Sequence, residues 1–157
     1  MKRIARAILL FAVTGTAGLM TGVLGSPSPV HAHGYKMDEI TVGHVWAPPP
    51  DGKDAGVHVY GAIVNRGTKP LRLVAVKTDV AGKVSFLSKA GDAGEPVDSL
   101  TLMPGKPYAM APWRGHIYLT GLHRTLSEDE SFELTLEFGD GRLMDVRVLV
   151  EPKGGHG

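Results

Sequence analysis

The clearest pattern in the chain is alternation. Phe132, Leu134, Leu136 and Phe138 fall at every second position, with Glu133, Thr135 and Glu137 between them. A period of two marks a half-buried strand. Gly139-Asp140-Gly141 follows, a turn sequence whose residues tolerate positive φ. Met144, Val146, Val148 and Val150 then return on one face, with Asp145 and Arg147 on the other. The same reading predicts strands over 40–46, 57–65, 71–78, 84–87, 100–102, 108–110 and 116–122. Turns are predicted at Pro48-Pro49-Pro50-Asp51-Gly52, Asn65-Arg66-Gly67, Ala81-Gly82 and Pro104-Gly105. No long amphipathic helical pattern occurs. Ser127-Glu128-Asp129-Glu130 has the spacing of a capping box, but a strand begins almost at once after it, so it predicts a turn. About seven to nine short strands imply an all-β, single-domain Greek-key sandwich of antiparallel strands, its edges guarded by proline and charge.

The first 32 residues read differently. Lys2, Arg3 and Arg6 form a basic head, an apolar run extends from Ala7 to about Leu24, and Val30-His31-Ala32 has small residues before a cut. This is the pattern of a signal peptide cleaved between Ala32 and His33. The expected organisation is a signal peptide over 1–32, a flexible lead-in over 33–38, the sandwich over 39–152 and a flexible tail over 153–157. Cleavage leaves 125 residues with no membrane span, periplasmic or secreted, with Lys+Arg at 14 against 16 Asp+Glu, a formal charge of −2.

That balance gives no basic excess for nucleic acid. The absence of cysteine removes disulfides, thiolate metal sites and thiol nucleophiles. No phosphate loop, nucleophile elbow or zincin motif is present, and Asp92, Glu95 and Asp98 sit in a polar loop. The chain does not read as an enzyme. What remains for chemistry is histidine and methionine. Thioether sulfur suits Cu(I), and imidazole suits both copper states.

Several segments resemble the periplasmic copper chaperones called PCu(A)C. They include Ile40-Thr41-Val42-Gly43-His44-Val45-Trp46-Ala47-Pro48, Tyr60-Gly61-Ala62-Ile63-Val64-Asn65-Arg66-Gly67, and Leu71–Val76 with Val80–Val84. Leu102-Met103-Pro104-Gly105, Gly115–Leu122 and the final hairpin continue the match in order. The resemblance implies a cupredoxin-like β-sandwich that delivers copper, chiefly Cu(I), to periplasmic targets such as a cytochrome oxidase copper subunit. It also implies a ligand set: a His after the Ala-Gly-x-Val strand, a Met in the next loop, and a late His-x-Met pair. This chain has Leu87 at the first position, no Met between Ser88 and Ser99, and His116 followed by Tyr118 in the late pair. One donor of four is kept.

The metal candidates are therefore His116, His33, Met110, His44 and His58, with copper as Cu(I) or Cu(II). His44 alternates with Ile40, Val42 and Trp46, and reads first as a partly buried histidine with a backbone partner. His44 and His58 flank the proline-rich loop and come to one end of the sandwich if their strands are neighbours. Met110 and Met103 have ordinary packing as the competing reading, and Met144 reads as core. His123 is expected at the surface and His156 on the tail. His33, as a new N-terminus, would offer its α-amino group and ring Nδ1 as a chelate, in the manner of copper-resistance proteins and copper monooxygenases that its junction resembles. The competing function is a metal-free interaction module that kept the fold and lost the site.

Overall fold

A computed structural model describes residues 34–52, 55–90 and 94–152. They form thirteen short strands: β1 Tyr35–Met37, β2 Ile40–Val42, β3 Trp46–Ala47, β4 Val57–Val59, β5 Gly61–Asn65, β6 Leu71–Lys77, β7 Ala81–Leu87, β8 Pro96–Val97, β9 Leu100–Leu102, β10 Pro107–Met110, β11 His116–Leu122, β12 Ser131–Phe138 and β13 Leu143–Val150. They lie in three sheets, ordered β1-β2-β5-β10, β4-β11-β7-β8 and β3-β13-β12-β6-β9. The fold is an all-β sandwich. Every ladder is antiparallel except β3 on β13, which is parallel.

The alternating residues do what their period requires. Phe132, Leu134, Leu136 and Phe138 are at most 4% exposed, and they meet Val146, Val148 and Val150 of the paired strand in one core. Each such side chain contributes about 1.5–3 kcal/mol by leaving water. Arg142 closes the hairpin, accepting Phe138 N–H at its carbonyl. The Ser127–Glu130 segment is a turn, with Ser127 N–H donating to the Glu130 carboxylate.

The strand count exceeds the expected seven to nine because long predicted strands break where the chain changes sheet. The 57–65 segment divides at Tyr60, which bridges to Trp46. Gly61 follows with φ 156°, and a Cβ there would stand 2.8 Å from the His44 carbonyl. Only glycine accommodates that crossing. The 40–46 segment divides likewise: β2 pairs with β5, and β3 pairs with β13. Tyr35–Met37, expected within a flexible lead-in, is a strand that pairs with β2, and the Tyr35 hydroxyl accepts Arg147 N–H at 2.9 Å. The signal-peptide residues, His33 and the 153–157 tail lie outside the described residues.

Candidate metal centre

Sheet β4-β11-β7-β8 builds the site through its two faces. Val57, Val59, Phe86, Ile117 and Leu119 belong to the hydrophobic core. Their neighbours His58, Tyr60, Ser85, Leu87, His116 and Tyr118 therefore project from the opposite face. Val59 pairs with Ile117 and His58 with Tyr118, so the same register sets Tyr60 level with His116. Two His-x-Tyr segments thus run antiparallel, each histidine beside the other segment's tyrosine. The ring centroids are 4.5 Å apart for His58 and Tyr118, and 5.3 Å for His116 and Tyr60. Trp46 extends the group, 5.1 Å from Tyr60.

The two histidines meet diagonally. His58 Nδ1 lies 2.8 Å from His116 Nε2. His116 Nδ1 lies 2.8 Å from the Arg114 carbonyl. A carbonyl only accepts, so His116 carries its hydrogen on Nδ1. In the neutral ring Nε2 then holds the lone pair, and His58 Nδ1 donates to it. A backbone carbonyl that accepts from one ring nitrogen fixes the histidine tautomer and leaves the lone pair on the other, as in metal-ligating histidines.

His116 is 0% exposed although it faces away from the core. The rings of His58 and Tyr60 cover it, and His58 is itself half-buried. Burial lowers the His116 pKa from its ordinary value, and the hydrogen bond to Arg114 opposes that shift. Burial raises the Tyr60 phenol, which therefore stays protonated at neutral pH. The turn that supplies the Arg114 carbonyl is held from both sides. Arg114 N–H donates to the Ala111 carbonyl and Ala90 N–H to the Pro112 carbonyl, while the Arg114 guanidinium lies 4.3 Å over the Tyr108 ring. Trp113, at the tip, is 80% exposed.

The other candidates are placed elsewhere. His44 is exposed, and its partner is a carboxylate rather than the expected backbone group: Nε2 donates to Glu151 Oε2 at 3.0 Å. The alternation that suggested burial ends with β2, so that Val45 turns inward instead. Met110 is 3% exposed in the hydrophobic core, Met144 is core as expected, and Met103 is 49% exposed. His123 is at the surface, where its Nδ1 donates to the Asp79 carbonyl at 2.8 Å. Among the described residues no third His, Asp or Glu joins the pair. Leu87, at the first donor position of the resembled ligand set, lies directly across the ladder from His116.

A family model matches residues 40–150. The chain belongs to the LpqE-like family. That family is lipoprotein-like by its description, although this sequence contains no cysteine. None of the curated proteins compared with this LpqE-like chain matches it. Solved structures do. The copper-bound PCuAC domain from PmoF2 is 26% identical with a TM-score of 0.67, covering 77% of this chain and 99% of that one. The apo PCuAC domain from PmoF1 is also 26% identical with a TM-score of 0.67, covering 77% of this chain and all of that one. Cu(I)-DR1885 from Deinococcus radiodurans is 25% identical with a TM-score of 0.59, covering 71% and 77%. The resemblance to PCu(A)C domains carried by the sequence segments is thus a structural one as well, and the LpqE-like chain shares the fold of a copper-handling family. No helix among its described residues is long and apolar enough to cross a membrane.

Proposed function

We propose that this protein handles copper outside the cytoplasm: a metallochaperone-like domain, exported by a signal sequence cleaved after Ala32, that holds copper at His116 and passes it to a cuproprotein such as a cytochrome oxidase copper subunit. It acts by binding and transfer, not by turnover. The observation that carries this reading is His116 itself. It occupies the late histidine position of the resembled ligand set, its Nδ1 is tied to a carbonyl, and its Nε2 meets a second imidazole at 2.8 Å. Copper titration of the mature protein, beside His116→Ala, tests it. Loss of copper binding in the variant supports the reading, and binding no tighter than to an unrelated control removes it.

His33 is a separate donor in this proposal. Cleavage after Ala32 would free its α-amino group, and the described chain enters β1 with Tyr35 opposite Val42 at the end of β2. One extra residue before His33 blocks that amine and leaves the ring, so equal copper affinity in both forms dismisses the chelate.

The metal-free interaction module remains the second reading. The exposed Trp113 on a braced turn favours it, since a rigid exposed aromatic is a typical contact anchor.

A further inference from the structure

The copper-handling reading leaves a chemical mismatch. The resembled ligand set contains sulfur, and among the described residues no methionine is a ladder partner of His116 or Tyr118. Across β7 its neighbour is Leu87, and across from Tyr118 is Ser85. The 88–99 segment contains no methionine. Met110 is committed to the core. On the other flank of His116, β4 supplies His58, on the same outer face and already in contact.

We propose that the metal site has been rebuilt on the β4 side of His116, as a sulfur-free His58–His116 pair that takes Cu(II) in a tetragonal arrangement. This deepens the copper-handling reading and rests on it. Two lines support the choice of oxidation state. The first is donor chemistry: without thioether the site loses its preference for the soft monovalent ion, and nitrogen and oxygen donors in tetragonal geometry suit Cu(II).

The second is distance. With imidazole–metal bonds of about 2.0–2.1 Å, adjacent nitrogens of a square-planar ion stand about 2.8–3.0 Å apart. The pair stands at 2.8 Å. The nitrogens keep that separation when the rings turn so that both lone pairs point at a common centre. A linear two-nitrogen Cu(I) site needs about 4.0–4.2 Å between them. That opening would pull His116 from the Arg114 carbonyl or His58 from its stack on Tyr118. For His58 to ligate through Nδ1, its hydrogen moves from Nδ1 to Nε2. His116 keeps its hydrogen on Nδ1, so the neutral pair binds the ion without losing a proton. Water takes the remaining positions of the ion.

The test is Cu(II) titration of the mature protein followed by electron paramagnetic resonance, with an anaerobic Cu(I) competition in parallel. The variants are His116→Gln, His58→Gln and His58→Phe. The last keeps a ring against Tyr118 while removing the donor, and circular dichroism and melting check the fold of each. The wild type should give an axial Cu(II) spectrum with nitrogen splitting. Each variant should lose at least tenfold in Cu(II) affinity and show fewer coupled nitrogens, while wild-type Cu(I) binding changes less than threefold on losing His58. Copper bound through His116 but indifferent to both His58 variants overturns the pair and leaves the copper-handling reading standing. Cu(I) binding that depends on both histidines, with no Cu(II) binding, overturns the tetragonal assignment. No copper in either state overturns both readings.

Discussion

Leu87 and His116 face each other across the β7–β11 ladder. Directly opposed residues on one sheet face have Cβ atoms about 4.5–5.5 Å apart, close enough for two ligands of one ion. A histidine at residue 87 would therefore share a metal with His116 with no change of backbone. Leucine there turns that flank apolar and leaves the imidazole to pair with β4.

Restoring sulfur and nitrogen on that flank should restore Cu(I) binding. Leu87→His combined with Tyr118→Met puts donors back at two positions of the resembled set. Leu87 and Tyr118 are only half-buried, so the double variant should fold. Competition against a chromophoric Cu(I) chelator should show at least a tenfold gain over wild type. An unchanged affinity would mean that β7 does not present residue 87 toward His116.

Gly56 is the floor on which the Tyr118 ring rests, since a Cβ at residue 56 would overlap the end of that ring. Gly56→Ala should push Tyr118 off His58 while leaving the core untouched. The ring protons of His58 should lose their upfield shift in the NMR spectrum, with stability changed by less than about 1 kcal/mol. Unchanged His58 shifts would contradict the stack.

The fold was legible to the extent that its strands alternate. Residues 132–138 and 144–150 announce themselves because every second side chain is apolar. Tyr35–Met37 does not, because three residues carry no period and the strand exists only through the ladder of β2. Pro96–Val97 is the same case. It depends on Ser88 N–H donating to the Glu95 carbonyl at 2.8 Å. The site was half legible. His116 was visible through its motif position, and the two His-x-Tyr segments were both in plain view. Their meeting was not, because His58 and His116 are 58 residues apart and strand neighbours are set by topology. His44 misled for the reason that alternation was carried past the end of β2.

Asn65 is a buried polar hinge at the end of β5, 1% exposed. Its amide donates to the Lys69 and Leu102 carbonyls at 2.8 and 3.1 Å, and its Oδ1 accepts Gly67 N–H at 2.9 Å. Asn65→Ala leaves those groups without their partner, so urea unfolding should show a loss of about 2–4 kcal/mol. A loss below about 1 kcal/mol would show that water replaces the amide.

Arg142 should govern the acid limb of stability. Its guanidinium bonds Asp140 and Glu39 at 2.6 and 2.9 Å, and that hydrogen bonding is the main cause that holds both carboxyls below their ordinary pKa values. A carboxylate favoured by the folded state stabilises it above its unfolded pKa, about 3.9 for Asp and 4.3 for Glu, and the contribution is lost as pH falls through the lowered folded value. Arg142→Met should therefore have a lower urea midpoint than wild type at pH 6–7, by a small margin because the groups are exposed. The two midpoints should converge as pH falls below about 4. A gap that stays constant from pH 7 to pH 3 would assign the effect to packing of the arginine stem.

The parallel pairing of Trp46 and Ala47 with Leu149 and Val150, together with the Arg142 contacts to Asp38 and Glu39, fastens the beginning of the domain to its last residues. On a ribosome the early strands emerge long before those partners. A chain stopped near residue 140 lacks β13, and with it the strand that lies between β3 and β12. Such contacts between distant positions make folding slow and late. The polypeptide stays threadable until its final hairpin is free.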